Sequence, residues 1–123
     1  AASDVYKRQP YTNKTHHLLN EKLFKKLKKG TYLINVSRGK VQNENHILKY
    51  IDNGTLSGAF LDVFETEPLP QSSGIWNNEK IQITPHNASI TNEDAAVPQI
   101  IENYKRVVSG DTLLNQVNID NEY

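Results

Sequence analysis

Two spacings of apolar residues alternate along the chain. Leu23, Phe24 and Leu27 recur at helical spacing behind Asn20, a residue suited to cap a helix, and Gly30 suits its C-terminal turn. Lys25, Lys26, Lys28 and Lys29 crowd the last turns, where cations meet the negative end of the helix dipole. Residues 32–36 are a short β-rich run. Asn43 can cap a second helix with Ile47, Leu48 and Ile51 on one face, closed by Asn53-Gly54. Residues 58–63 are small and apolar, as in a parallel strand covered on both faces. That strand is expected to end in acid residues and to break on Pro68 and Pro70, because proline has no N–H to donate. Residues 81–84 make a third strand, running into Pro85-His86. A last helix spans about 92–109, with Thr91 as its cap, an apolar stripe of Ile100, Ile101, Tyr104, Val107 and Val108, and Gly110 at its end. Pro98 inside it predicts either a kink or a helix that starts near Val97. Leu113, Leu114 and Val117 in the tail are expected to pack on a neighbour. The strand–helix–strand alternation predicts an α/β fold with βαβ units and a parallel sheet.

Composition narrows the class. At 123 residues the chain is one domain at most, large enough for a core. Fourteen basic and 14 acidic side chains balance, so no broad field favours nucleic acid or an anionic membrane. No cysteine is present, which removes disulfides, thiolate zinc sites and a Cys nucleophile. No apolar run approaches the roughly 20 residues that span a bilayer, and no signal peptide is visible. The expectation is a soluble, cytoplasmic protein. Methionine is absent even from position 1, which predicts that the chain does not begin at its own start codon. Residues 1–9 resemble a translated sequencing adapter, so they are read as a non-native tail outside the fold, with native sequence from Pro10. A genuine polar tail is the alternative.

Three strands therefore end in Arg38, Glu67 and His86, on one edge of one sheet, where open α/β sheets bind ligands. Singly, each has a plain explanation as a surface cation, a turn residue and a loop histidine. Together they make an acid–base site. A guanidinium grips a carboxylate bidentately and keeps its charge. A histidine passes a proton near neutral pH, and a nearby glutamate favours its charged form. Reduction of a 2-oxo acid needs those parts: hold the carboxylate, polarise the ketone, and protonate its oxygen as hydride arrives. Asp62, at a neighbouring strand end, can accept a hydrogen bond from a nicotinamide amide. His16, His17 and His46 start different helices with no carboxylate cluster between them, so no metal site is assigned. The lysines at 25–29 lack interleaved aromatics and read as a solvated helix end. The four Asn-x-Ser/Thr matches, at Asn13, Asn35, Asn53 and Asn87, are put down to chance in an Asn-rich chain.

Pro10-Tyr11-Thr12-Asn13-Lys14-Thr15, Asn35-Val36-Ser37-Arg38-Gly39, Leu61-Asp62-Val63-Phe64-Glu65-Thr66-Glu67-Pro68-Leu69-Pro70 and Thr84-Pro85-His86 resemble the D-isomer-specific 2-hydroxyacid dehydrogenases in order and spacing from Pro10 onward. The Glu67-Pro68-Leu69-Pro70 run, Trp76 and Thr91 are most similar to the glyoxylate/hydroxypyruvate reductase A branch. The resemblance implies the C-terminal half of a Rossmann-like doubly wound sheet. Residues 10–92 would be part of an NAD(P)-binding domain, and 93–123 a helix and tail returning to the substrate domain. It implies that Arg38 binds the substrate carboxylate and carbonyl, that His86 is the general acid/base, and that Glu67 pairs with it. Asp62 would hold the nicotinamide carboxamide, while Pro10, Val36, Ser37, Arg38 and His86 would line an NAD or NADP cofactor, NADP being slightly favoured by the branch. The partner would be a small 2-oxo or 2-hydroxy acid, and the full protein a homodimer. Asn13, Asn43 and Gly74 depart from the usual Pro, Asp and Pro, which puts loop rigidity in question rather than chemistry. No G-x-G-x-x-G occurs, so the pyrophosphate turn would lie upstream, the sheet would be incomplete, and this chain alone would have no useful activity. A nucleotide-sensing corepressor of dehydrogenase type would keep a similar Arg, Glu and His and is the alternative. The Glu-Pro-Leu-Pro run and the short tail after Gly110 favour the enzyme.

Overall fold

The computed structural model describes residues 4–7, 10–89 and 91–120. They form strand β1 (Asp4–Lys7), helix α1 (Glu21–Phe24), strand β2 (Thr31–Asn35), a 3-10 turn (Gly39–Val41), helix α2 (Glu44–Asp52), strands β3 (Leu56–Leu61) and β4 (Ile81–Ile83), and helix α3 (Glu93–Ser109). All four strands are parallel, in the spatial order β1-β2-β3-β4. The α/β expectation therefore stands, and the carboxyl ends of β2, β3 and β4 share one edge. Two compact units divide the chain, Ala1–Ala88 and Ser89–Tyr123.

Side-chain caps fix the helix starts. Asn20 Oδ1 accepts the Lys22 and Leu23 amides at 2.8 and 3.4 Å, and Asn43 Oδ1 accepts the His46 amide at 3.0 Å, as the sequence predicts. The first helix is shorter than its apolar spacing suggests. After Phe24 the amides of Lys26 and Leu27 bond three residues back, to Leu23 and Phe24, and the coil tightens toward Gly30 at φ +84°. Gly54, also at positive φ, follows α2. Leu19, Phe24, Leu33, Val41, Ile47, Ile51, Leu56 and Leu61 form the centre of the core, with Tyr50 tilted against Phe24 at 5.4 Å between ring centroids.

Three expectations are corrected. Residues 4–7, set outside the fold by their resemblance to an adapter, pair with β2 from Asp4↔Tyr32 to Lys7↔Asn35. Strand pairing uses backbone groups, so an open edge accepts such a segment, and Val5 packs against the core. Strand β3 ends at Leu61, well before Pro68. Beyond Asp62 its backbone is taken by side chains: Gln42 donates to the Val63 carbonyl at 3.0 Å, and Glu67 accepts the Phe64 amide at 3.0 Å. In the second unit α3 begins at Glu93 with Asn92, not Thr91, accepting the Ala95 amide, and it runs through Pro98 without restarting at Val97. Gly110 closes it in the left-handed conformation. The stripe at Ile100, Tyr104, Val107 and Val108 is exposed.

Of the glycines, Gly39 has the tightest surroundings, because a Cβ there would lie 1.7 Å from the Phe64 carbonyl oxygen. Gly39→Ala must therefore push apart the turns after β2 and β3. The expected loss is roughly 3 kcal/mol or more of unfolding free energy, read as a lowered urea midpoint.

Candidate active site

The turn after β2 is built on buried amides. Asn35 Oδ1 accepts the Ser37 amide and hydroxyl at 3.0 and 2.8 Å, and Asn35 Nδ2 donates to Gln42 Oε1 at 2.7 Å and to the Arg38 carbonyl at 3.3 Å. This fixes the backbone around Arg38 while its side chain stays exposed. One guanidinium nitrogen donates to the Ser37 carbonyl at 2.7 Å, leaving other N–H groups for a ligand.

After β3, Glu67 is aimed by its own chain. Its Oε1 accepts the Phe64 amide at 3.0 Å, and its Oε2 lies 2.8 Å from His86 Nδ1. Burial alone would raise the Glu67 carboxyl. The His86 hydrogen bond and charge and the Phe64 amide outweigh that and hold it below its ordinary 4.5. His86 stands at φ +54°, a left-handed conformation uncommon outside glycine. With Nδ1 on Glu67, its Nε2 is the nitrogen left to act. Arg38, Glu67 and His86 together line a cavity of about 270 Å³, with Tyr11, Lys40 and Glu65. Phe64, Glu67 and His86 also wall a second, mostly apolar cavity of about 670 Å³, with Leu69, Trp76 and Ile83.

Asp62 is buried and accepts three hydrogen bonds from the protein. Its Oδ1 accepts the Thr84 hydroxyl at 2.5 Å and the Asn87 amide at 2.9 Å, and its Oδ2 accepts the Ala88 amide at 3.0 Å. Burial would raise this carboxyl too, but these three donors and the nearby His86 charge bring it below its ordinary 3.8. So Asp62 holds both sides of the turn that carries His86. Of the other cofactor candidates, Ser37 spends its hydroxyl on Asn35, Val36 is half-buried, and exposed Pro10 accepts the Thr15 hydroxyl at its carbonyl. None of these three lines the 270 Å³ cavity.

Sequence reasoning missed four contributors. Asn35 and Gln42 support Arg38, Thr84 supports the His86 turn through Asp62, and Glu65 joins the cavity wall. For Asn35 and Thr84 the available signal was a polar residue at a strand end after an apolar run, which must be satisfied if buried; Gln42 and Glu65 carried none.

With this geometry in view, comparison with known proteins is informative. The family described as D-isomer specific 2-hydroxyacid dehydrogenase, NAD binding domain, matches residues 2–88. Glyoxylate/hydroxypyruvate reductase A of Photorhabdus laumondii is 44% identical over 110 residues, covering 89% of this chain and 35% of that protein. The protein of the same name from Serratia proteamaculans is 42% identical with the same coverage. The chain thus spans about a third of the length of these relatives. Among solved structures, a D-isomer specific 2-hydroxyacid dehydrogenase of Xanthobacter autotrophicus Py2, in complex with NADPH and MES, superimposes with a TM-score of 0.93 at 39% identity, covering 98% of this chain and 50% of that one. An NADPH-dependent glyoxylate/hydroxypyruvate reductase of Sinorhizobium meliloti, in complex with NADP and sulfate, gives 0.89 at 33% identity, covering 98% and 40%.

Asp62 and Glu67 both contribute to stability on the acid side. Folding favours ionised Asp62 and Glu67, so their contribution is present above the ordinary 3.8 and 4.5 and is lost as pH falls through the lower folded values. Glu44, raised chiefly by burial, acts oppositely: its contribution is present below its ordinary 4.5 and is lost as pH rises through its folded value. Asp62→Asn puts an amide donor against the Asn87 or Ala88 N–H, and is expected to cost roughly 1–3 kcal/mol at neutral pH. Urea unfolding as a function of pH should show that difference shrinking toward pH 3.

Proposed function

Because the chain belongs to the D-isomer specific 2-hydroxyacid dehydrogenases, matching their NAD-binding domain, we propose that it carries the acid–base group of an NAD(P)-dependent reductase of small 2-oxo acids such as glyoxylate and hydroxypyruvate. The observation that carries this reading is the 2.8 Å His86–Glu67 pair in one cavity with Arg38. The residues fit the nicotinamide end of such a cofactor, since three parallel strand ends converge beside Arg38, Asp62 and His86. They do not supply the phosphate end, because the sequence holds no G-x-G-x-x-G turn. NADPH and NADP in the Xanthobacter and Sinorhizobium structures support NADP over NAD.

The bound nicotinamide would supply a hydride to C2 of the 2-oxo acid. Arg38 clamps the carboxylate and draws on the carbonyl oxygen, so that C2 stands in line with the imidazole. His86 donates its Nε2 proton to that oxygen, giving the 2-hydroxy acid and a neutral ring that solvent reprotonates. Glu67, kept ionised at neutral pH, accepts the Nδ1 proton in a hydrogen bond and stabilises the charged ring before transfer. Asp62 sets the His86 turn, and its Oδ2, which takes a single backbone donor, is left to accept from the carboxamide. Residues 93–123 would pack their exposed apolar stripe on a substrate-binding domain. The corepressor alternative gains nothing from relatives named as dehydrogenases and reductases.

The test is a chimaera in which this chain replaces the matching segment of the Photorhabdus relative. NADPH consumption with glyoxylate should be measurable in the chimaera and absent from the 123-residue chain alone. His86→Ala should lower kcat by roughly 10²–10⁴-fold. NADPH binding without turnover, or turnover indifferent to His86→Ala, would sink the proposal.

A further inference from the structure

His17 occupies a backbone conformation that its side chain disfavours. Its φ is +47°, in the left-handed region where glycine is the comfortable residue. A histidine kept there calls for something in its surroundings that holds it. Two bonds do so. Its amide donates to the Lys40 carbonyl at 2.9 Å, two residues after Arg38. Its Nε2 meets Glu65 Oε1 at 2.5 Å, two residues before Glu67. The ring is stacked on His16, with centroids 4.0 Å apart and planes inclined by 19°.

Glu65 is held from its other side as well. Its Oε2 accepts the Glu44 amide at 3.1 Å, and Glu44 Oε1 returns the bond by accepting the Glu65 amide at 2.7 Å. This reciprocal pair pins the turn after β3 to the first residue of α2. Gly39 meanwhile lies directly against the Phe64 backbone. The two turns that present Arg38 and Glu67 are thus in contact, and His17 is bonded to both.

We propose that His17, acting through Glu65, is a positioning residue that fixes the spacing between Arg38 and the Glu67–His86 pair. The inference rests on the acid–base reading of those three residues. A misplacement of an ångström between the carboxylate clamp and the proton donor is enough to cost rate. His17 touches neither the cavity nor, in this reading, the substrate, so its effect is indirect.

Two variants of the 123-residue chain test it. His17→Gly removes the imidazole at a position whose backbone glycine prefers, and Glu65→Gln removes the charge while keeping an acceptor for the Glu44 amide. The readout is the imidazole Nδ1 proton of His86, held by Glu67 and observed by NMR of isotope-labelled protein. In both variants its exchange with water should quicken by at least about tenfold as the turn opens locally, while the urea midpoint of His17→Gly stays equal to wild type or rises. A lowered midpoint with an unchanged His86 proton in both variants would mean a merely structural role and overturn the proposal. In the active chimaera, His17→Gly should lower kcat by about 10- to 100-fold with NADPH affinity unchanged, whereas unaltered kcat would overturn it. Faster exchange in variants of a chain whose chimaera lacks turnover would uphold the positioning and reject the reductase reading.

Discussion

Parallel strands deliver their carboxyl ends to one edge, but the turns beyond them must be held by something other than the ladder. Here a buried amide relay does that holding. Asn35, at the end of β2, bonds the Ser37 amide and hydroxyl, the Arg38 carbonyl and Gln42, and Gln42 passes the connection to the Val63 carbonyl beyond β3. Both side chains are fully buried, so each lost partner would leave a polar group dry and unpaired. No buried side-chain nitrogen or oxygen among the described residues lacks a partner. Arg38 and Glu67 can therefore project to solvent from backbone that is itself fixed.

How much of this was legible follows the range of the physics involved. Asn20 and Asn43 cap helices through amides two or three residues away, and the sequence displays both ends of each bond. The convergence of Arg38, Glu67 and His86 was legible because parallel pairing puts successive strand ends on one edge. Long-range chemistry was not legible. The partners of Asp62 that shape the His86 turn, Thr84, Asn87 and Ala88, come from another strand end and carry no local signal. The β1 pairing depends on backbone groups at the edge of β2, which are not visible in the sequence. The end of β3 was misread because Gln42 and Glu67 compete for its backbone, a competition that no local proline signal reveals.

Carboxyl groups within one edge are driven in opposite directions by their surroundings. Asp62 and Glu67 receive enough donors to overcome burial, whereas Glu44 faces burial and the Glu65 charge and is raised. The edge therefore keeps a fixed anion beside His86 while storing a less favourable one at the start of α2. Sites of this kind combine unequal environments over a short span, and the difference comes from who donates to each oxygen.

The grip of Asp62 on the amides of Asn87 and Ala88 also bears on the order in which the edge assembles. Those amides meet their acceptor only when β4 has docked beside β3, because Asp62 directly follows β3 and the amides follow β4, across a connection of residues 62–80. Closing such a span carries an entropy cost before any reward arrives. His86 is thus placed against Glu67 only with β4 docked. The His86–Glu67 contact and the docking of β4 on β3 are consequently linked, because the histidine follows β4 and the glutamate follows β3.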